Sequence, residues 1–551
     1  MFMAKEVNKK EFTKHKRKGG RYTPKSRIEE RDYTVDETSN DSSWYAEDKQ
    51  LLRDATTFNF NNATGGFLPD DFTVNSGSQY AQMANSTIPG VCAIRYTPTI
   101  GIAPTGDANA PVNTAKLKLY SFVRHQNSGS ANYDSGDLMQ YVLAKTSIDA
   151  MWWQLARSYS LAFKYSQTNR YFPRALLIAS GLDPDDIYEN LADFRAFLNN
   201  TAVKLNSLFI PNIFGLYKRY SWMNSNVFTD SKGFKPSVYM YVQDLAWQYN
   251  ETGADIGNLT PVGFVDITRS NLLTLNDIKT KFNTLLLSLV SSEAINIMSG
   301  DMMKAYGKEN GVKLPFLSEQ FDINFIYSEE VLNQIHNTTL VGEYYPGYTP
   351  KIIQDGSTNL LEFDPQINAY NFILDNGVYK YSDTYYIAPT ATTRFDLVDD
   401  DTSPERVIVA SRNTAMYKSL SHSMVNQGST IATCGSELFH GADIIYNAYT
   451  STATDPVAVK LYMQVVNVHR WNSYIEPLQS SQPGNDAVHE RVATITKFDW
   501  FPFVHIDTFN YDSNSGEYFF DNHLDICDMN VNTVLTTENV AKMHELALMT
   551  E

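Results

Sequence analysis

Cysteine is scarce: Cys92, Cys434 and Cys527 stand far apart in 551 residues, with no C-x-x-C pair. An odd, dispersed set excludes a disulfide framework and the usual structural zinc ligands, and it fits a reducing compartment. Long apolar runs are missing too. No stretch approaches the roughly 18 residues that a membrane span requires. The N-terminus leads into polar residues where a secretory signal would carry its apolar segment, so export by that route and insertion in a bilayer are not expected. Sequons such as Asn62-Ala63-Thr64 and Asn337-Thr338-Thr339 then read as chance in a chain rich in Asn and Thr.

Enzyme signatures are absent in the same way. There is no G-x-x-x-x-G-K-[ST] loop, G-x-G-x-x-G turn or G-x-S-x-G elbow, so a phosphate cradle and the standard hydrolase nucleophile have no support. "HERVA" (489–493) and "HELAL" (544–548) open like the zincin H-E-x-x-H, but Ala493 and Leu548 occupy the place of the second imidazole. Their histidines read as surface or capping residues. Asp399, Asp400 and Asp401 lack the glycine turn and ligand spacing of an EF-hand loop and read as solvated acids before a helix cap. "IMSGDMM" (297–303) contains a Gly-Asp pair like the metal-binding turn of viral RNA polymerases, yet no second aspartate-bearing strand precedes it. It reads as helix, break, helix. No catalytic residue, metal site or cofactor is expected.

What the chain has is size, aromatic content and a split charge. Its length exceeds one hydrophobic core, pointing to about three or four structural units. With 43% apolar and 13% aromatic residues the body has ample surface to bury. The net charge is -17, yet "KEVNKKEFTKHKRKGGRYTPKSR" (5–27) carries ten Lys or Arg against two Glu. Setting that ribbon aside leaves 35 cations against 60 acids, so a tail near +8 is joined to a body near -25. Such a ribbon binds nucleic acid by displacing counterions, or serves as a nuclear address through "KHKRK" (14–18), or only aids solubility.

Residues 1–43 lack aliphatic periodicity and are expected to form a disordered arm; order begins near Trp44. Helical signals dominate to about residue 340. Ile148, Trp152, Leu155, Tyr159 and Ala162 share one face of a helix starting near Asp137. Asp183-Pro184 opens another, with Ile187, Leu191, Phe194 and Leu198 as its stripe, and residues 276–300 form a long helix closed by Gly300. Beyond residue 341 short alternating runs take over, most clearly at Val457–Val465 but also in 378–389 and 497–506, where Pro502 marks an edge or bulge. Ser403-Pro404 opens one interior helix, and 538–549 is helical again, with Val540, Met543 and Ala547 on one side. No internal repeat or heptad train is found. The expected fold is a mainly α body with a strand-rich (α+β) insertion, divided as 1–43, 44–340, 341–530 and 531–551.

Several fragments, in the same order, resemble the capsid proteins of picobirnaviruses: "DSSWYA" (41–46), "STIPGV" (86–91), "VRHQNSGSANYDSGDLMQYVLA" (123–144), "RYFPRALLIASGLDPDD" (170–186), "IMSGDMMKAYG" (297–307), "KFDWFP" (497–502) and "MHE" (543–545). Residues 341–490 contribute no such fragment. The resemblance implies a virion protein, assembled in the host cytoplasm as symmetric dimers, sixty of them, in an icosahedral T=1 shell around a segmented double-stranded RNA genome. It implies a helical shell domain (44–340), a projecting domain (341–530), a C-terminal helix returning to the shell (531–551), and an inward arm. It assigns non-specific RNA contact to Lys5, Lys9, Lys10, Lys14, Lys16, Arg17, Lys18, Arg21, Lys25 and Arg27. A packaged viral polymerase is a further candidate partner; a membrane is not. Some relatives shed an N-terminal peptide by self-cleavage, and no cleavage motif is found here. The rival reading is a soluble RNA-processing or polymerase-like enzyme with a basic tail.

Overall fold

The computed structural model describes residues 47–51, 90–129, 132–163, 171–230, 237–253, 256–266, 269–344, 347–367, 374–375, 378–379, 393–397, 403–417, 429–433, 435–452, 455–468, 471–475, 491–512, 517–526, 531–533 and 535–548. Two units are separated, Met1–Phe60 and Asn61–Glu551. Of the first, only a helical turn at 47–51 is described.

The second unit is built around the helix Ser135–Ala162, opened by a capping box in which Asp134 is the N-cap and Asp137 accepts from the Asp134 N–H at 2.9 Å. The expected face of Ile148, Trp152, Leu155, Tyr159 and Ala162 is buried, but so is nearly every other residue of the helix. A helix enclosed on all sides must find partners for its polar side chains among its neighbours, and several do, although Thr146 Oγ1 and Gln140 Oε1 make no hydrogen bond among the described residues. Gln140 donates to Gly257 O and to Gln354 Oε1 (3.0 and 2.7 Å), Ser147 Oγ accepts from the Trp247 N–H (3.0 Å), and Lys145 pairs with Asp149 one turn along. Arg157 donates to the carbonyls of Met223, Asn226 and Tyr241 at 3.3, 3.0 and 2.8 Å. Two of those carbonyls lie at the C-terminal end of the helix Gly215–Ser225, the negative pole of its dipole, so a buried guanidinium is matched without a carboxylate.

On one side of this helix lies a six-stranded mixed sheet, ordered Asp455–Val468, Glu437–Thr452, Val91–Pro98, Val238–Gln243, Val227–Thr229 and Phe325–Ile326. Val91–Pro98 is parallel to Val238–Gln243 and antiparallel to Glu437–Thr452. Both faces of the sheet are apolar. Val91, Ala93, Val238, Met240 and Ile445 pack against Leu161 and the helix Tyr171–Ala179; Cys92, Ile94, Tyr239, Tyr241 and Ile444 pack against Leu332, Ile335, Phe498 and Trp500. A second, antiparallel sheet of Leu245–Gly253, Ile256–Gly263, Ile352–Gln354 and Leu361–Glu362 covers the N-terminal half of the long helix. A third holds Trp471–Ile475, Val504–Asp512 and Glu517–Ile526, the first pair parallel.

Several expectations need correction. The stretch 44–340 is rich in helix, as expected, but among the described residues it also supplies four of the six strands of the main sheet and two of the second. Val91–Pro98, Val227–Thr229 and Val238–Gln243 escape the period-of-two test because both of their faces are buried. The strands Glu437–Thr452 and Asp455–Val468 are stitched into that same sheet, across the boundary drawn at residue 341. Segment 276–300 is two helices, Leu275–Val290 and Glu293–Tyr306, because the Ser292 hydroxyl accepts from the Ile295 N–H and starts a new one. "IMSGDMM" is continuous helix within the second, and Asp301 accepts from the Tyr133 hydroxyl at 3.0 Å, tying that helix to the turn before the helix Ser135–Ala162. The expected stripe from Ile187 to Leu198 is interrupted at Asn190, between Pro184–Glu189 and Leu191–Leu205. The Asp183 and Ser403 caps are in place, each accepting a backbone N–H from within its helix. The strand after Pro502 begins at Val504, and most of 378–389 lies outside the described residues, as do Cys434, Cys527, His489 and Asp399–Asp401.

The true helix stop is Gly307, whose φ of 88° favours glycine. A Cβ at Gly300 would meet nothing within 4 Å, while one at Gly307 would meet the Glu309 carboxylate at 2.5 Å. Gly300→Ala is therefore expected to raise the stability of the dissociated protein by about 0.5–1 kcal/mol and Gly307→Ala to lower it by about 1 kcal/mol or more. Denaturant midpoints of the two variants moving the same way would contradict the helix limits.

Candidate functional site

The ten cations expected to touch RNA, Lys5 to Arg27, lie outside the described residues. What the structure brings together is a buried charge network where the late strand Glu437–Thr452 meets the early strand Val91–Pro98. Asp443, fully buried, forms an ion pair with Arg95, whose Nε lies 2.9 Å away, and accepts from Arg269 Nη2 at 2.5 Å, and its other oxygen accepts from Asn467. Arg95 also pairs with Glu343. Burial opposes the charge of Arg95, but Asp443 and Glu343 more than reverse this and push its pKa up. Arg269 holds a left-handed backbone (φ 55°), and its guanidinium donates to Ile178 O and Ala179 O, both at 3.1 Å.

A bulge sets the register here. Arg95 faces Gly441 and Tyr96 faces Phe439, leaving His440 as the extra residue. The bulge directs its ring between Gly342 O and Thr97 Oγ1, each 2.8 Å away, with Asp244 at 3.6 Å and Tyr344 edge-on at 4.7 Å. Burial raises the pKa of Asp244, with His440 and Arg95 acting against it. A second cluster surrounds Glu437, which pairs with Arg412 at 3.0 Å; Arg219 lies 3.8 Å away and donates to Gln334 and Asn413. Against Arg412 packs His544, read from sequence as a surface or capping residue. It is 1% exposed, on the Val540–His544–Leu548 face of the helix Thr537–Leu548. His336 bridges the Phe501 carbonyl at 2.5 Å and Asp396 at 3.0 Å amid Trp500, Phe501 and Phe503.

This chemistry is that of bracing. The carboxylates of both clusters are engaged by guanidinium groups, and burial, aided by Asp443, pushes the Cys92 thiol far above its usual range, away from nucleophilic thiolate. Among the described residues no group of three His, Cys, Asp or Glu is placed to hold a metal, and no helix is long and apolar enough to cross a membrane. Side chains separated by 174 and 248 residues meet in the first cluster, so no local motif announces it.

The family model described as the picobirnavirus capsid protein matches residues 44–473. The chain belongs to the picobirnavirus capsid protein family. The capsid protein precursor of human picobirnavirus is 27% identical over 555 aligned residues, covering 98% of this chain and 95% of that one. The crystal structure of the picobirnavirus capsid shares the fold, with a TM-score of 0.72 at 20% identity, covering 92% of this chain and 97% of that chain. As a capsid protein this chain is a structural component of the virion and not an enzyme, which sets aside the polymerase-like reading. The family match also spans 341–473, where the quoted fragments were silent.

Two outcomes follow for the braced region. Asp443→Ala strands two buried guanidinium groups and is expected to destabilise the protein by about 3–5 kcal/mol, whereas Asp185→Ala, breaking an exposed 2.6 Å pair with Arg174, is expected to cost at most about 1 kcal/mol; comparable losses for the two in chemical denaturation would refute the role given to Asp443. Burial and then the neighbouring Arg412 hold the His544 pKa well below its usual value. The unfolded chain therefore takes up a proton below about pH 6.5 that the folded one refuses. Stability should fall with acid by up to about 1.4 kcal/mol per pH unit from this group. His544→Met should flatten the unfolding free energy between pH 6.5 and 5; an unchanged acid slope would count against this account.

Proposed function

We propose that this capsid protein assembles as symmetric dimers, sixty of them, into an icosahedral T=1 shell around segmented double-stranded RNA, with residues 1–43 as a basic arm facing the interior. Assembly takes place in the host cytoplasm, and a packaged viral polymerase shares the interior. The shell comprises 44–340, the helix of 531–551, the strands at 437–468 that complete its main sheet and those at 352–362 that complete its second, while a part of the rest of 341–530 projects. Family membership supports the shell. The observation carrying the RNA reading is the charge split: a tail near +8, with Lys5, Lys9, Lys10, Lys14, Lys16, Arg17, Lys18, Arg21, Lys25 and Arg27, on a body near -25.

Such a tail displaces counterions from phosphates without reading sequence, giving a slope of log affinity against log salt of roughly -6 to -7. An acidic inner wall repels the same phosphates, so flexible tethers hold the genome while the wall leaves it mobile. Full-length protein should sediment as megadalton particles containing RNA. Protein lacking residues 1–31 should close into particles of the same size with little RNA, and replacing the ten cations by Ala should abolish the salt slope. Unchanged RNA content in the truncated particles would overturn the assignment of the arm; protein that never forms particles would overturn the shell.

A further inference from the structure

A groove of about 440 Å³ opens where three elements of the folded body converge. Trp153 of the long central helix forms its floor, Tyr217, Lys218 and Trp222 of the helix Gly215–Ser225 form one wall, and Asn212 and Lys313 complete it. Lys218 and Trp222 are one helical turn apart and so share a face. The opposite wall is fixed by backbone pairing, Asn212 N–H to Asn310 O at 2.7 Å and Val312 N–H to Ile210 O at 2.8 Å. The aromatic floor is fixed as well, because Trp153 stands edge-on to the buried Trp152 at 5.2 Å. Trp222 is 36% exposed, yet its ring is steadied by Phe228 at 5.1 Å and by the Arg219 guanidinium 5.9 Å from its centroid.

The charge is what selects an occupant. In a body near -25, both lysines at this groove are exposed and, among the described residues, neither is engaged by a carboxylate. Ammonium groups beside a partly exposed indole suit a ligand with phosphate and a flat ring in one unit. The volume falls in the range of small-ligand sites, about 300–1,000 Å³, and suits a single nucleotide. We propose that this groove holds one nucleotide of single-stranded RNA, its base stacked on Trp222 and its phosphate between Lys218 and Lys313. The proposal deepens the reading of a protein that holds RNA, but places a contact on the folded body, independent of the basic arm.

The test uses a 4-thiouridine-labelled hexauridylate with full-length protein, measuring affinity and mapping photo-cross-linked peptides. Stacking of one base and loss of two cations predict at least about tenfold weaker binding for Trp222→Ala and for the double variant Lys218→Glu, Lys313→Glu. Cross-links to the 211–225 and 311–313 peptides should disappear in both. The charge variant alters only exposed positions, so it separates loss of the site from loss of the fold. A variant with the ten arm cations changed to Ala should keep the groove cross-links while losing those to the arm. Wild-type affinity in both groove variants, or cross-links confined to residues 1–43, overturns the groove while leaving the arm reading intact. Shielding of Trp222 on assembly without RNA also overturns it, since the groove is then a contact between copies.

Discussion

One carboxylate, Asp443, carries the joint on which the folded body depends. It arrives on a strand far along the chain and receives two guanidinium groups from Arg95 and Arg269. Buried ion pairs of this kind add little net stability compared with apolar packing, because desolvating the charges cancels most of their attraction. They impose specificity instead. A register slip of one residue in Glu437–Thr452 would turn Asp443 to the opposite face of the sheet, parting it from Arg269 and leaving Arg95 with Glu343 alone. The bulge at Arg95–Tyr96 reinforces that choice by giving His440 its own partners.

The long helix imposes the complementary constraint. In a helix buried all round an unmatched polar group is costly, so the polar residues that do find partners name the neighbours that must be present. Gln140 requires the second sheet, Arg157 requires the end of Gly215–Ser225 and the main sheet, and Gln154 exchanges hydrogen bonds with the backbone of Gln243 at 2.7 and 3.1 Å. Packing and polar matching thus agree on a single arrangement. Such agreement is the condition under which identical copies of a subunit present identical surfaces.

What could be read from the chain without its structure was what depends on neighbours in sequence. The caps at Asp183 and Ser403, the long helix near Asp137 and the strand around Val457–Val465 rest on local spacing, and the structure places each of them. The basic ribbon was equally legible as a charge run. Strands buried on both faces carried no alternation, which hid Val91–Pro98 and Val238–Gln243. Glycine alone does not reveal φ, so in the sequence Gly300 reads as a helix stop as readily as Gly307 does. The burial of His544 is invisible in its own helix because it comes from Arg412 and from the helices Pro111–Gln126 and Gly215–Ser225 packed beside that helix. The bracing clusters and the aromatic groove were illegible, since their members meet only through the fold.

The place of Glu437–Thr452 in the main sheet also bears on how the protein is made. The strand it flanks, Val91–Pro98, leaves the ribosome early, and the position beside it stays vacant until more than three hundred further residues have been translated. At typical elongation rates that interval is on the order of tens of seconds. Throughout it, an apolar strand offers an unpaired edge to any other nascent chain nearby. Polysomes crowded with this message therefore favour a holding chaperone, or slow release, before the sheet closes and subunits become competent to meet.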